Sequence, residues 1–154
     1  SNWQYGLGGV VSLAHDTIIT LGAFSLLHGV LPFSLEIDQA FIAAILTVIG
    51  YSINDTVIVF DRIREYMHIY PKRDTKTNMN HAMNSTLRRT FSTSLSTLVV
   101  LIAIFLFGGA SIRGFIFALL VGIGIGTYSS IFVATPVVFE TMKRKMKKLA
   151  KAQA

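Results

Sequence analysis

The sequence has no cysteine. That excludes a disulfide framework, thiolate metal ligation and a cysteine nucleophile. It is also poor in charge, with 14% Asp, Glu, Lys and Arg against about 25% in an average soluble domain. So few charges on a chain of 154 residues that is 52% apolar leave too little polar surface to coat a water-soluble globule. No phosphate-binding loop is present: Gly122-Ile123-Gly124-Ile125-Gly126 lacks the Lys-Ser/Thr pair and lies in an apolar run. ATP is therefore not the energy source within this chain. A Ser nucleophile elbow is missing, the acids and hydroxyls do not have the spacing of an intramembrane protease, and no secretory signal peptide is recognisable. An enzyme is not expected.

What the chain does have is long apolar runs. Crossing a bilayer as helix takes about 20 mostly apolar residues, because no water is available there to satisfy open backbone groups. Four stretches qualify, at about 7–27, 40–60, 90–107 and 115–139. The expected fold is an all-α integral membrane protein, a single domain of four antiparallel transmembrane helices. Of the 14 basic residues, Arg113 alone lies between the third and fourth spans. The others gather in the segment 61–89 and in the tail 140–154. Short basic loops stay cytoplasmic, so the N-terminus, the central segment and the tail are expected inside. The tail then anchors orientation and touches anionic lipid, and a nucleic-acid partner is not expected. Within the central segment, Met79, Met83 and Leu87 share one helix face. The spacing predicts an interfacial helix over Thr77 to Leu87, capped by Thr75 or Thr77 and leading into the third span.

Three spans carry residues that could do work. Asp55 lies about six residues, roughly 9 Å of rise, from the inner end of the second span. A carboxylate held between desolvation and a nearby cation can exchange a proton during a conformational cycle. Arg89, at a comparable depth at the start of the third span, is its natural partner or, on position alone, a snorkelling anchor, and it keeps its charge under all physiological conditions. Thr93, Ser96, Thr97 and Val100 continue one face from Arg89, either as a water-lined path or as interhelical glue. Arg88 reads as a snorkelling anchor. His15 and Asp16 fall near the bilayer centre in the first span and read as a second proton-carrying or helix-pairing site. Metal ligation there would need further ligands that the sequence does not offer at that depth. Asn54, beside Asp55, is a secondary candidate. Gly114, Ala118, Gly122, Gly126, Ser130 and Ala134 place small residues at every fourth position of the fourth span, a stripe that lets another helix approach closely.

The run from Gly50 through Ser52-Ile53-Asn54-Asp55-Thr56 to Phe60-Asp61-Arg62-Ile63-Arg64-Glu65 resembles the signature of the SecF family of bacterial protein-export membrane subunits. Ala14-His15-Asp16, Thr86-Leu87-Arg88-Arg89-Thr90, Phe107-Gly108-Gly109 and Gly126-Thr127-Tyr128-Ser129-Ser130 through Ala134 occur in the family's order. The resemblance implies a part in the SecDF accessory complex of the Sec translocon, within the resistance-nodulation-division superfamily. It implies use of the proton gradient to assist export across the bacterial inner membrane. Protons would be the coupling ion, with no other cofactor. SecD, the SecYEG translocon, exported polypeptides and membrane lipids would be the partners. The family's essential membrane acid corresponds to Asp55, and its partner positions to Arg89 and Thr93. The chain looks like the C-terminal four-span portion of such a protein, without the family's preceding span, external domain and further span. Two other readings are a structural membrane scaffold, suggested by the small-residue stripe, and proton-driven efflux of a small hydrophobic compound or lipid.

Overall fold

The computed structural model describes residues 3–152. Helix α1 spans Trp3–Leu27, α2 Gln39–Ile69 and α3 Thr75–Phe107. A single 3₁₀ turn, Ala110–Ile112, leads into α4, Arg113–Ser129. A π-helical stretch, Ser130–Ala134, joins α4 to α5, Thr135–Ala152. No strand occurs among the described residues. Four of the helical segments are long and apolar enough to cross a membrane, α4 and α5 together making the fourth.

The helix ends follow local chemistry. α1 stops where Gly29 takes φ +78, the left-handed conformation that suits glycine after a helix. The Asp38 side chain caps α2 by accepting from the Phe41 N–H at 2.8 Å. α2 then runs nine residues past the expected end of the second span, because nothing from Asp61 to Ile69 breaks it before Pro71. At the start of α3 the cap is Asp74, accepting from the Thr77 N–H, in place of the expected Thr75 or Thr77. The interfacial helix expected over Thr77 to Leu87 is not separate. It is the first part of α3, since no Gly or Pro interrupts the chain between Thr75 and Phe107. The tail is likewise helical, as the continuation of the fourth crossing through α5. The π turn has a visible cause. Pro136 has no N–H for the Phe132 carbonyl and its ring crowds that turn, and a widened turn just upstream absorbs both defects.

Consecutive crossings run antiparallel, so α2 and α4 are parallel to each other. These two form the centre, each packed on both remaining helices, while α1 and α3 flank them on opposite sides without substantial contact. Gly122 and Gly126 make the central contact possible. A Cβ on Gly122 would collide with the Val48 side chain, and one on Gly126 would stand 3.1 Å from the Ser52 Cβ.

Along the bundle the interior is layered. Phe24, Phe41, Val48, Ile116 and Leu119 form an apolar cluster at one end. Tyr5, Val59, Phe60, Ile63, Met79 and Val138 form another at the end that carries the basic residues. Between them every crossing contributes buried polar groups, including Ser12, Asp16, Thr20, Ser52, Asp55, Thr56, Thr90, Ser94, Ser129 and Ser130. Both acids sit in that middle layer.

Candidate functional site

Within the polar layer, helical periodicity decides what each side chain meets. Asp16 follows Ser12 and precedes Thr20 on the buried face of α1, and all three are fully buried. Its Oδ2 accepts from the Ser52 hydroxyl of α2 at 2.6 Å and from the Ser129 hydroxyl of α4 at 2.8 Å. Its Oδ1 lies 3.1 Å from Nδ1 of His15, which stands at the edge of the bundle with about a third of its side chain exposed. Three elements therefore clamp one carboxyl group. Gly126 makes room for the clamp, since a Cβ there would press on Ser52 and come within 3.6 Å of Asp16 Oδ2.

Asp55 occupies the same layer in a different state. It lies on the α3-facing side of α2, one turn beyond Tyr51 and short of Arg62, two residues that reach α3. The residue is 3% exposed, and its Oδ2 is buried without a hydrogen-bond partner. Thr56 Oγ1, next to it, is also unpartnered. Arg89 and Asp55 form no ion pair within 4.0 Å. The ion pairs among the described residues join His15 to Asp16, Arg62 to Glu65 and Arg144 to Glu140. The reason is angular: Thr90 takes the buried position on α3, and Arg89, one residue earlier and so about 100° around the helix, is exposed.

Thr93 shares the exposed face of Arg89, and its hydroxyl donates to the Arg89 carbonyl at 2.9 Å. Ser96 and Val100 are exposed on the same side, while Thr97 is half-buried. The hydroxyl stripe thus lies on the open side of α3, outside the buried seam. Asn54 is exposed as well. The buried α3 stripe is Thr86, Thr90 and Ser94. Ser94 receives hydrogen bonds from Thr127 of α4 at 2.6 Å and from Tyr51 of α2 at 3.5 Å. Gly122, Gly126 and Ser130 are buried in the central seam.

Ser52, Ser94, Thr127 and Ser129 carry these contacts, and sequence reasoning passed over all four. The available signal was the i, i+4 recurrence of Ser12, Asp16 and Thr20, and of Thr86, Thr90 and Ser94, inside apolar runs. Chemically, the layer offers one carboxyl fully engaged by hydroxyls and one with an open acceptor. Among the described residues no three His, Asp or Glu side chains gather as a metal cage.

The model of the family described as protein export membrane protein SecD/SecF, C-terminal, matches residues 2–144. A protein translocase subunit SecF of Rhodothermus marinus is 62% identical over 142 residues, covering 92% of this chain and 46% of that protein. The subunit of that name in Haemophilus influenzae is 52% identical over 143 residues, or 93% of this chain and 42% of that protein. This chain therefore spans less than half the length of these relatives. Among solved structures, SecDF in a super-membrane-facing form superposes with a TM-score of 0.86 at 41% identity, covering 97% of this chain and 20% of that one. SecDF from Thermus thermophilus, described as a translocon-associated membrane protein, gives 0.81 at 41% identity over 92% of this chain and 19% of that one.

Proposed function

This chain belongs to the SecD/SecF family of protein-export membrane proteins, and from that premise we propose that it supplies the proton-coupling helices of a Sec translocase accessory subunit in the bacterial inner membrane. The observation that carries the reading is Asp55. A carboxyl 3% exposed in the middle layer of a transmembrane bundle, with one oxygen lacking any partner, is an expensive arrangement for stability alone. It suits a group that takes up and releases a proton as its surroundings alternate between dry and wet. Arg89 stands nearby without contact, and Thr93 one turn further along the same exposed face of α3. A small rotation of α3 about its axis would bring that face toward Asp55. In this scheme the proton loads Asp55 while α3 is turned away. Its release accompanies the approach of the fixed guanidinium charge, which changes helix packing and drives the portion of the protein outside the membrane. Each proton returning through about 100 mV contributes roughly 2.3 kcal/mol, in addition to the pH difference.

The partners on this reading are SecD, the SecYEG translocon and the exported polypeptide. The basic end of the bundle faces the cytoplasm, by the loop-charge rule. The chain acts as a transport component with protons as its only coupling agent, and not as an enzyme. The test is translocation of a secreted precursor into vesicles that contain the full-length complex, with and without a proton gradient. Asp55→Asn removes the gradient-dependent part while the complex still assembles. An unchanged gradient dependence overturns the proposal and moves the search to Asp16.

A further inference from the structure

A groove of about 370 Å³ lies between α1 and α2 at the basic end of the bundle, lined by Tyr5, Gly6, Gly9, Thr56, Phe60 and Arg64 among others. Its walls are apolar along most of their length. From Ile53 to Arg64 it follows α2 for about 16 Å. Two glycines keep it open: a Cβ on Gly6 or Gly9 would meet no atom within 4 Å. Two polar features break the apolar lining, one at each depth. Thr56 is 1% exposed, and its hydroxyl has no hydrogen-bond partner. At the rim, the Arg64 guanidinium stands 4.5 Å from the centre of the Tyr5 ring, held by cation–π attraction. Arg64 belongs to none of the ion pairs found among the described residues, whereas its neighbour Arg62 is bound to Glu65.

An apolar slot in a transmembrane bundle, with a positioned cation free of acidic partners at its mouth, is complementary to one molecule shape: an acyl chain ending in an anionic headgroup. We infer that this groove binds an anionic phospholipid, its phosphate on Arg64 and an acyl chain along Gly6, Gly9 and Phe60. The charge at this end of the bundle favours the same ligand. Lys72 and Arg73 in the α2–α3 turn and Lys76 in the first turn of α3 are at the same end of the bundle, and basic pockets between transmembrane helices recruit acidic headgroups. Neither Asp16 nor Asp55 lines the groove, so the inference stands independently of proton coupling.

The test uses the full-length protein in its complex, purified and exchanged into nanodiscs containing phosphatidylglycerol in a phosphatidylcholine background, with retained lipid read by native mass spectrometry. Phosphatidylglycerol is expected to be retained selectively. Arg64→Gln weakens that retention about tenfold through loss of the charge-assisted contact. Gly9→Leu, whose Cβ enters open space, abolishes it. Equal retention of phosphatidylcholine and phosphatidylglycerol by the unmodified protein overturns the assignment, as does phosphatidylglycerol retention unchanged in both variants. A third measurement guards against a groove covered by another helix. The chain lacks cysteine, so Gly9→Cys places the chain's one thiol in the groove. Labelling by a lipid-soluble maleimide supports a lipid-facing slot, and crosslinking to another protein segment instead overturns it.

Discussion

Asp16 and Asp55 are two carboxyls in one buried layer of one bundle, and they differ in how they are held. Asp16 is fully buried and engaged by Ser52, Ser129 and His15, so that it fastens α1, α2 and α4 together. Asp55 is almost as buried and has an oxygen with no partner at all. Burial by itself therefore does not decide how an acid is held. The difference lies in satisfaction. One carboxyl is held by hydroxyls of two other helices, and the other keeps an open acceptor, the state that the proposed proton transfer uses.

The substitution with the largest expected effect tests the clamp. Asp16→Ala leaves two buried serine hydroxyls and a histidine without their shared acceptor. It is expected to lower the unfolding free energy of the full-length protein by about 1–3 kcal/mol for each buried hydroxyl left unsatisfied. A loss under about 1 kcal/mol in detergent denaturation would erase the contrast. Ser129→Ala removes one donor only, and a cost of about 1–3 kcal/mol is expected, as for a buried acceptor that loses a partner. Gly126→Val disturbs the same clamp without altering its chemistry, by pressing on Ser52. Overpacking of that kind costs about 1–3 kcal/mol and is read as a lower midpoint at unchanged Asp16. Asp55→Asn sits on the other side of the comparison. Its stability changes by about 1 kcal/mol at most, since no hydrogen bond to Oδ2 is lost, while gradient-dependent export disappears. Thr93→Ala, which loses only a bond to its own helix backbone, stays within about 0.5 kcal/mol. If it nonetheless slows export, the exposed α3 face takes part in the cycle.

Hydropathy made the four crossings legible, because the bilayer imposes both length and composition on each of them. The helix ends were not. Asp61–Ile69 and Thr75–Arg89 are polar and contain no breaker, so helix persists into segments that a hydropathy reading leaves outside the span. Asp55 could be found because an acid in an apolar run stands out. The Asp16 clamp could not, since its partners lie 36 and 113 residues away along the chain, and serine in a membrane helix is too common to mark a contact. Spacing brought Arg89 and Thr93 onto one face but could not fix its direction. That depends on which residues of α3 pack against α2 and α4, and Thr86, Thr90 and Ser94 take those places.

The π turn at Ser130–Ala134 has one more consequence. Each residue of an α-helix advances the azimuth by about 100°, and a widened turn holds an additional residue without adding a full step of length. Everything after Ala134 is therefore rotated relative to the stripe that precedes it. Before the turn, Gly122 and Gly126 look at Val48 and Ser52 of α2. At its end the Ala134 carbonyl, and after it the Val138 side chain, stand against Gly8 of α1. The fourth crossing thus leaves α2 partway through the membrane while staying on α1, and the change falls at Ser129 and Ser130, the level at which Asp16 ties both helices to it.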